Sequence, residues 1–227
     1  MKFVSPKVDF TFKKIFGSEQ SEPILRSFLN AIIYEGNQVI QSLKITNPYN
    51  PGQISAFKET DLDVKATLND GSIVVIEIQR TRTSSFSKQI MYNLSKAYSS
   101  QVKGEEDYLK LKPAIALTIV DFVLFDETED VISNFSLQEK DQEEDNKLEY
   151  LNYPDEELKL LFVELPKFKK DLAELSSLTD KWIYFLKNAS SLETIPDNLG
   201  EVEEIGLALA IANQANMTEE ELEIIDN

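Results

Sequence analysis

The hydrophobic positions of this chain change period several times, and each change marks an element. Between Asp9 and Phe16, the residues Phe10, Phe12, Ile15 and Phe16 recur at helical intervals and Gly17 supplies a stop, which predicts a short amphipathic helix. In the segment 22–34, Ile24, Leu25, Phe28, Leu29, Ile32 and Ile33 fall on one helical face behind an early Pro23, so a core helix is expected. Residues 42–47 read as a first strand and 47–52, NPYNPG, as a loop. Over 84–102 the apolar set Phe86, Ile90, Met91, Leu94, Ala97, Tyr98 and Val102 returns to helical spacing, which predicts a helix laid on a sheet. PAIALTIVDFVLF, 113–125, is almost continuously apolar and reads as a buried central strand. LKLLFVEL, 158–165, reads as another strand, ended by Pro166. The stretches FKKDLAELSSL, DKWIYFLKNA and IGLALAIANQA predict a C-terminal helical region. The order helix, strand, hairpin, helix, strand implies an α/β fold with a mixed sheet flanked by helices.

The hairpin lies in DLDVKATLNDGSIVVIEIQ, residues 61–79, where Asn69-Asp70-Gly71 separates two runs rich in β-branched residues. Its register decides what the polar residues can do. With a two-residue loop, Asp63 stands opposite Ile78 and Glu77 points to the other face. With a three-residue loop, and Gly71 taking the positive φ of a bulge, Asp63 stands opposite Glu77 and Asp61 opposite Gln79. Only the second register lets the carboxylates share a site, and it is the one expected. The plain alternative is that Asp63 and Glu77 are exposed charges that discourage edge-strand pairing. Glu77 fits that reading poorly, because it interrupts the apolar run IVVIEI and an unpaired buried carboxylate is costly.

Composition narrows the chemistry. The 227 residues include no His and no Cys, which removes imidazole bases, thiol nucleophiles, disulfides and nitrogen- or sulfur-ligated zinc. Oxygen ligands remain, and these suit a hard cation such as Mg2+ or Mn2+. The net charge of -17 opposes a polyanionic partner, but it is unevenly distributed. Residues 1–125 hold 15 Lys and Arg against 13 Asp and Glu, whereas 126–227 hold 8 against 27. The first ten residues lack the apolar segment of a signal peptide and no run approaches the roughly 18 apolar residues of a membrane span. The expectation is a soluble cytoplasmic protein with no membrane partner.

Several segments together resemble the PD-(D/E)XK nuclease family transposases, relatives of the recombination-promoting nucleases. They are DFTFKKIFG, LNAII in the first long helix, LDV followed by IEIQ, YNLSKAYSSQVKGEEDY, PAIALTIVDFVLF and VELPKF. The resemblance implies a restriction-endonuclease-like core over 1–125, with 126–157 as an acidic insertion or linker and 158–227 adding a strand and a helical region packed on that core. It also implies metal-dependent hydrolysis of DNA phosphodiesters, with Mg2+ or Mn2+ held by Asp63, Glu77 and the main-chain carbonyl of Ile78, and a connection with recombination or mobile elements. Gln79 departs from the family name pattern, standing where a lysine can orient the attacking water. An amide can orient water but carries no charge. Lys65, two residues along the strand from Asp63, is the first choice as a substitute cation. Arg80, Arg82, Lys88 and Gln89 follow the second strand closely enough to contact DNA.

Accessory candidates are Asp9, Asp61 and Tyr92. Asp9 is expected chiefly to cap the first helix. Trp182 is expected in the core, and the acidic stretch is expected to be solvated. Two cuts in a duplex ordinarily need two active sites, which is consistent with a homodimer. The competing reading is a catalytically inactive nuclease relative serving as a DNA-binding or protein-interaction module, favoured by Gln79 and by the net charge.

Overall fold

The computed structural model describes residues 2–46, 63–102, 104–137 and 157–226. Asp61, the loop at 47–52 and residues 138–156 of the acidic stretch lie outside them. Six strands form one mixed sheet: β1 (Leu43–Ile45), β2 (Val64–Leu68), β3 (Ile73–Gln79), β4 (Ala114–Val120), β5 (Ile132–Phe135) and β6 (Leu158–Glu164). Their order across the sheet is β1-β2-β3-β4-β6-β5. The β3–β4 and β4–β6 pairs are parallel and the others antiparallel. The helices among the described residues are α1 (Asp9–Phe16), α2 (Glu22–Ile33), α3 (Phe86–Ser99), α4 (Leu178–Asn188), α5 (Asp197–Gly200), α6 (Glu203–Ala212) and α7 (Glu219–Asp226).

Alternation along β3 sorts the core into two layers. Val74, Ile76 and Ile78 pack with α1, α2, α4 and α6, while Ile73 and Val75 pack against Phe86, Ile90 and Leu94 of α3. Covering on both faces explains why β3 and β4 are near-continuous apolar runs. Trp182 of α4 is fully buried, stacks edge-on to Phe28 at 5.6 Å, and donates its indole N–H to Ser27 Oγ at 3.2 Å. The C-terminal helices therefore share one hydrophobic cluster with α1 and α2.

The hairpin has the three-residue register. Val64 pairs with Ile76 and Thr67 with Ile73, Leu68 N–H donates to the Ser72 carbonyl at 2.8 Å, and Gly71 takes φ 89°. Asp70 Oδ1 accepts the Ser72 amide at 2.8 Å, closing the turn from its own side chain.

Three expectations are corrected. Residues 168–178 are not a helix, since only Leu165–Lys167 and Leu172–Glu174 make 3-10 turns. The reason is local: Ser177 and Asp180 form a reciprocal capping box that starts α4 at Leu178. The segment read as acidic insertion contains β5, which pairs with β6 and sets Phe135 against the rings of Phe125 at 5.1 Å and Phe162 at 5.8 Å. Finally, Asp9 does not cap α1. Val8 is the N-cap and no side chain caps it, Asp9 being the first helical residue.

Candidate active site at the open end of the hairpin

Among the described residues the β2 ladder ends at Val64, while β3 continues to Gln79. In this register the Ile78 N–H points toward β2. Asp63 supplies the partner from its side chain, with Oδ2 accepting the Ile78 amide at 2.7 Å. That bond holds a carboxylate in the plane of the sheet at the point where the strands part.

Asp63 draws its other partners from α1. Lys13 Nζ stands 3.4 Å from Asp63 Oδ1 and 3.3 Å from Asp9 Oδ2, and the Asp9 and Asp63 carboxyls share a hydrogen bond. Lys13 is 6% exposed, so its ammonium is held by these carboxylates rather than by water. Asp9 and Lys13 are four apart on one helical face, which is why α1 presents both to the same point. Glu77, 6% exposed, belongs to the other layer, where Asn93 Nδ2 of α3 donates to its Oε1. The two carboxylates are thus positioned from opposite sides of the sheet, Asp63 from α1 and Glu77 from α3.

Burial pushes the Asp63 carboxyl up to about 8, the neighbouring Asp9 adds to this, and the Ile78 amide and Lys13 pull it back. Asp9 moves the other way: burial works against it, but the hydrogen bond with Asp63 and the charge of Lys13 hold it below the usual carboxylate value. The folded protein therefore retains a proton on Asp63 that the unfolded chain releases above pH 4 or so. Between about pH 4 and about 8 the folded state binds more protons, and stability falls as pH rises. Melting curves in metal-free buffer should show this decline, and Asp63→Asn should flatten it. An equal slope in parent and variant would contradict the assignment.

The other sequence-derived residues are placed as follows. Lys65 pairs with Val75 and is half-buried on β2, by alternation on the Glu77 side of the sheet. Arg80, Arg82, Lys88 and Gln89 are exposed on the strand exit and the start of α3. Tyr92 is 58% exposed with Lys96 Nζ 5.5 Å from its ring centroid. Gln79 is partly exposed and its carbonyl accepts the Asp121 amide at 2.9 Å. Two residues escaped sequence reasoning. Lys13 lies 50 positions from Asp63 in FKKIF, with no local sign that one lysine turns inward. Asn93 could have been suspected, since it sits among Ile90, Leu94 and Ala97 on the apolar stripe of α3.

The donor set suits a hard divalent cation. A buried carboxyl pressed against a second carboxyl gains from a bound positive charge, and every oxygen offered by Asp63, Glu77 and the Ile78 carbonyl is a hard ligand. No three acidic side chains converge among the described residues.

A family model described as PD-(D/E)XK nuclease family transposase matches residues 6–227. The chain belongs to that family. The mixed sheet flanked by helices is the restriction-endonuclease-like architecture that its members share. Nucleases of this kind generally use divalent metal ions and act on DNA. Searches of curated proteins and of solved structures found no match. No helix among the described residues is long and apolar enough to cross a membrane.

Proposed function

We propose that the protein is a metal-dependent endodeoxyribonuclease whose site is built from Asp63, Glu77 and the Ile78 carbonyl. One observation supports this reading: in a hairpin of the expected register, the Asp63 carboxyl just before β2 accepts the amide of Ile78, the residue after Glu77. The bound Mg2+ or Mn2+ would supply a water of lowered pKa and positive charge beside the scissile phosphate. Asp63 and Glu77 hold the cation, with Asn93 fixing the orientation of Glu77. Gln79, at the end of the same strand, orients water through its amide. In this reading Lys13 replaces Lys65 as the cation that offsets the missing lysine at 79, because its ammonium stands against Asp63. Arg80, Arg82, Lys88 and Gln89 hold the DNA backbone on the α3 side. A role in recombination or mobile-element biology belongs to the same proposal.

Supercoiled plasmid tests it. Purified protein should nick the plasmid with Mg2+ or Mn2+ and not with chelator, and manganese calorimetry should register binding at the folded protein. An intact fold that neither binds manganese nor nicks would favour the inactive DNA-binding or protein-interaction module, toward which the neutral Gln79 points.

A further inference from the structure

A second group of charges stands at the same end of the sheet. Val120, the last residue of β4, pairs with Gln79 of β3 and Glu164 of β6, so the C-terminal ends of all three parallel strands meet there. Asp121 follows at once, its amide bonded to the Gln79 carbonyl. Three lysines from separate parts of the chain gather near it. Lys7, two residues before α1, pairs with Asp121 Oδ2 at 2.8 Å. Lys187 of α4 donates to the Phe168 carbonyl, which brings it beside Lys169. Asp121 thus pairs directly with Lys7, and the charges of Lys7, Lys169 and Asp121 all reach Lys187, in a chain of net charge -17.

Like charges gathered in this way repel. Burial lowers the Lys187 ammonium below its ordinary value, the charges of Lys169 and Lys7 lower it further, and Asp121 only partly compensates. Lys169 is exposed, and Lys7 and Lys187 are partly so, which leaves the cluster open to an incoming anion. An anion bridging them would relieve the repulsion. Its place at the C-terminal ends of β4 and β6, next to the β3 end that the chain leaves toward Arg80 and Arg82, suits a backbone phosphate of a bound duplex.

We propose that Lys7, Lys169 and Lys187 form a phosphate subsite that holds the DNA backbone on the β4–β6 side of the candidate active site, with Asp121 setting its strength. This rests on the nuclease reading for the identity of the ligand. The arrangement has a directional signature. Removing a lysine weakens the subsite, whereas removing the Asp121 carboxylate strengthens it, even though the Lys7 ion pair is lost.

The test is anisotropy of a labelled duplex of about 20 base pairs bound to the full chain in chelator over a salt series, comparing the parent with Lys169→Gln, Asp121→Asn and Lys44→Gln. Lys44 is exposed on β1 at the far edge of the sheet and controls for net charge. One lost phosphate contact should lower the log–log salt slope by about 0.9, and Lys169→Gln should weaken binding several-fold at low salt. Asp121→Asn should tighten it several-fold. Lys169→Gln matching Lys44→Gln, Asp121→Asn binding no tighter than the parent, or a parent that binds no duplex would each overturn the subsite. Manganese binding and plasmid nicking read the Asp63 site separately, so failure here leaves the nuclease proposal to its own test.

Discussion

Asp63→Asn protein is expected to nick supercoiled plasmid at least about 1000-fold more slowly than the parent in Mg2+ or Mn2+, a loss of about 4 kcal/mol of transition-state stabilisation. The substitution is close to isosteric. An asparagine carbonyl oxygen can still accept the Ile78 amide that Asp63 Oδ2 accepts at 2.7 Å, so the open end of the hairpin keeps its shape. What disappears is the ionisable carboxyl, 3.4 Å from Lys13, that keeps its proton up to about pH 8 in metal-free protein and whose negative charge would hold the cation once that proton is displaced. Circular dichroism should be unchanged, as should duplex affinity in chelator, while the manganese binding heat should fall sharply. Parent-like nicking by a properly folded Asp63→Asn protein would dismiss the proposed site. Loss of nicking with full manganese binding would move the metal elsewhere.

The second large effect concerns stability and comes from a pair distant in role but close in space. Glu164 is completely buried at the end of β6, and Lys167, also buried, meets its Oε2 at 2.8 Å. Glu164 Oε1 accepts the amides of Leu124 at 2.6 Å and Phe125 at 3.2 Å, and Lys167 donates to the Phe125 carbonyl at 2.7 Å. The pair thereby pins the turn after β4, the turn that begins with Asp121 beside Gln79. Lys167→Met would leave a buried carboxylate without its cation. The expected cost is about 3–5 kcal/mol in urea unfolding, or roughly 6–20 °C in melting temperature for a chain of this size. Adding Glu164→Gln should recover a substantial part, because an amide still accepts the two turn amides without needing a counter-charge. A loss under about 1 kcal/mol in the single variant would mean that the Glu164–Lys167 pair does not hold this turn.

The resemblance singled out VELPKF without explaining it, and the ion pair gives that segment a physical purpose. A glutamate and a lysine three apart around a proline look like ordinary surface charges in sequence. Only the closing of β6 against β4 brings the 121–125 turn over them and excludes water. The reversal at Asp9 has a similar origin. An acidic residue at a helix start ordinarily reads as a cap, and no local pattern announces that Asp63, 54 positions later, will accept a hydrogen bond from it or give one to it.

Short-range information was sufficient wherever the deciding interactions were short-range. Alternation in IVVIEIQ and the turn Asn69-Asp70-Gly71 left two hairpin registers, since a strand's period of two allows no intermediate state, and the register expected is the one the hairpin adopts. Helical spacing located α1, α2 and α3, and the continuous apolar run located β4. Where local signals competed, they misled. FKKDLAELSSL carries helical spacing, but the Ser177–Asp180 capping box begins the helix later, and VISNF lies in an acidic segment yet completes the sheet edge.

The amino-acid sequence by itself determined the family, the mixed sheet and the pair of carboxylates on one hairpin. The tertiary structure decided which charges answer them: Lys13 and Asp9 for Asp63, Asn93 for Glu77, and Lys7 for Asp121. Backbone pattern is written in neighbours a few residues apart. The partners of a buried charge are chosen by which helices the closing core brings within hydrogen-bond reach, and that depends on the whole chain folding.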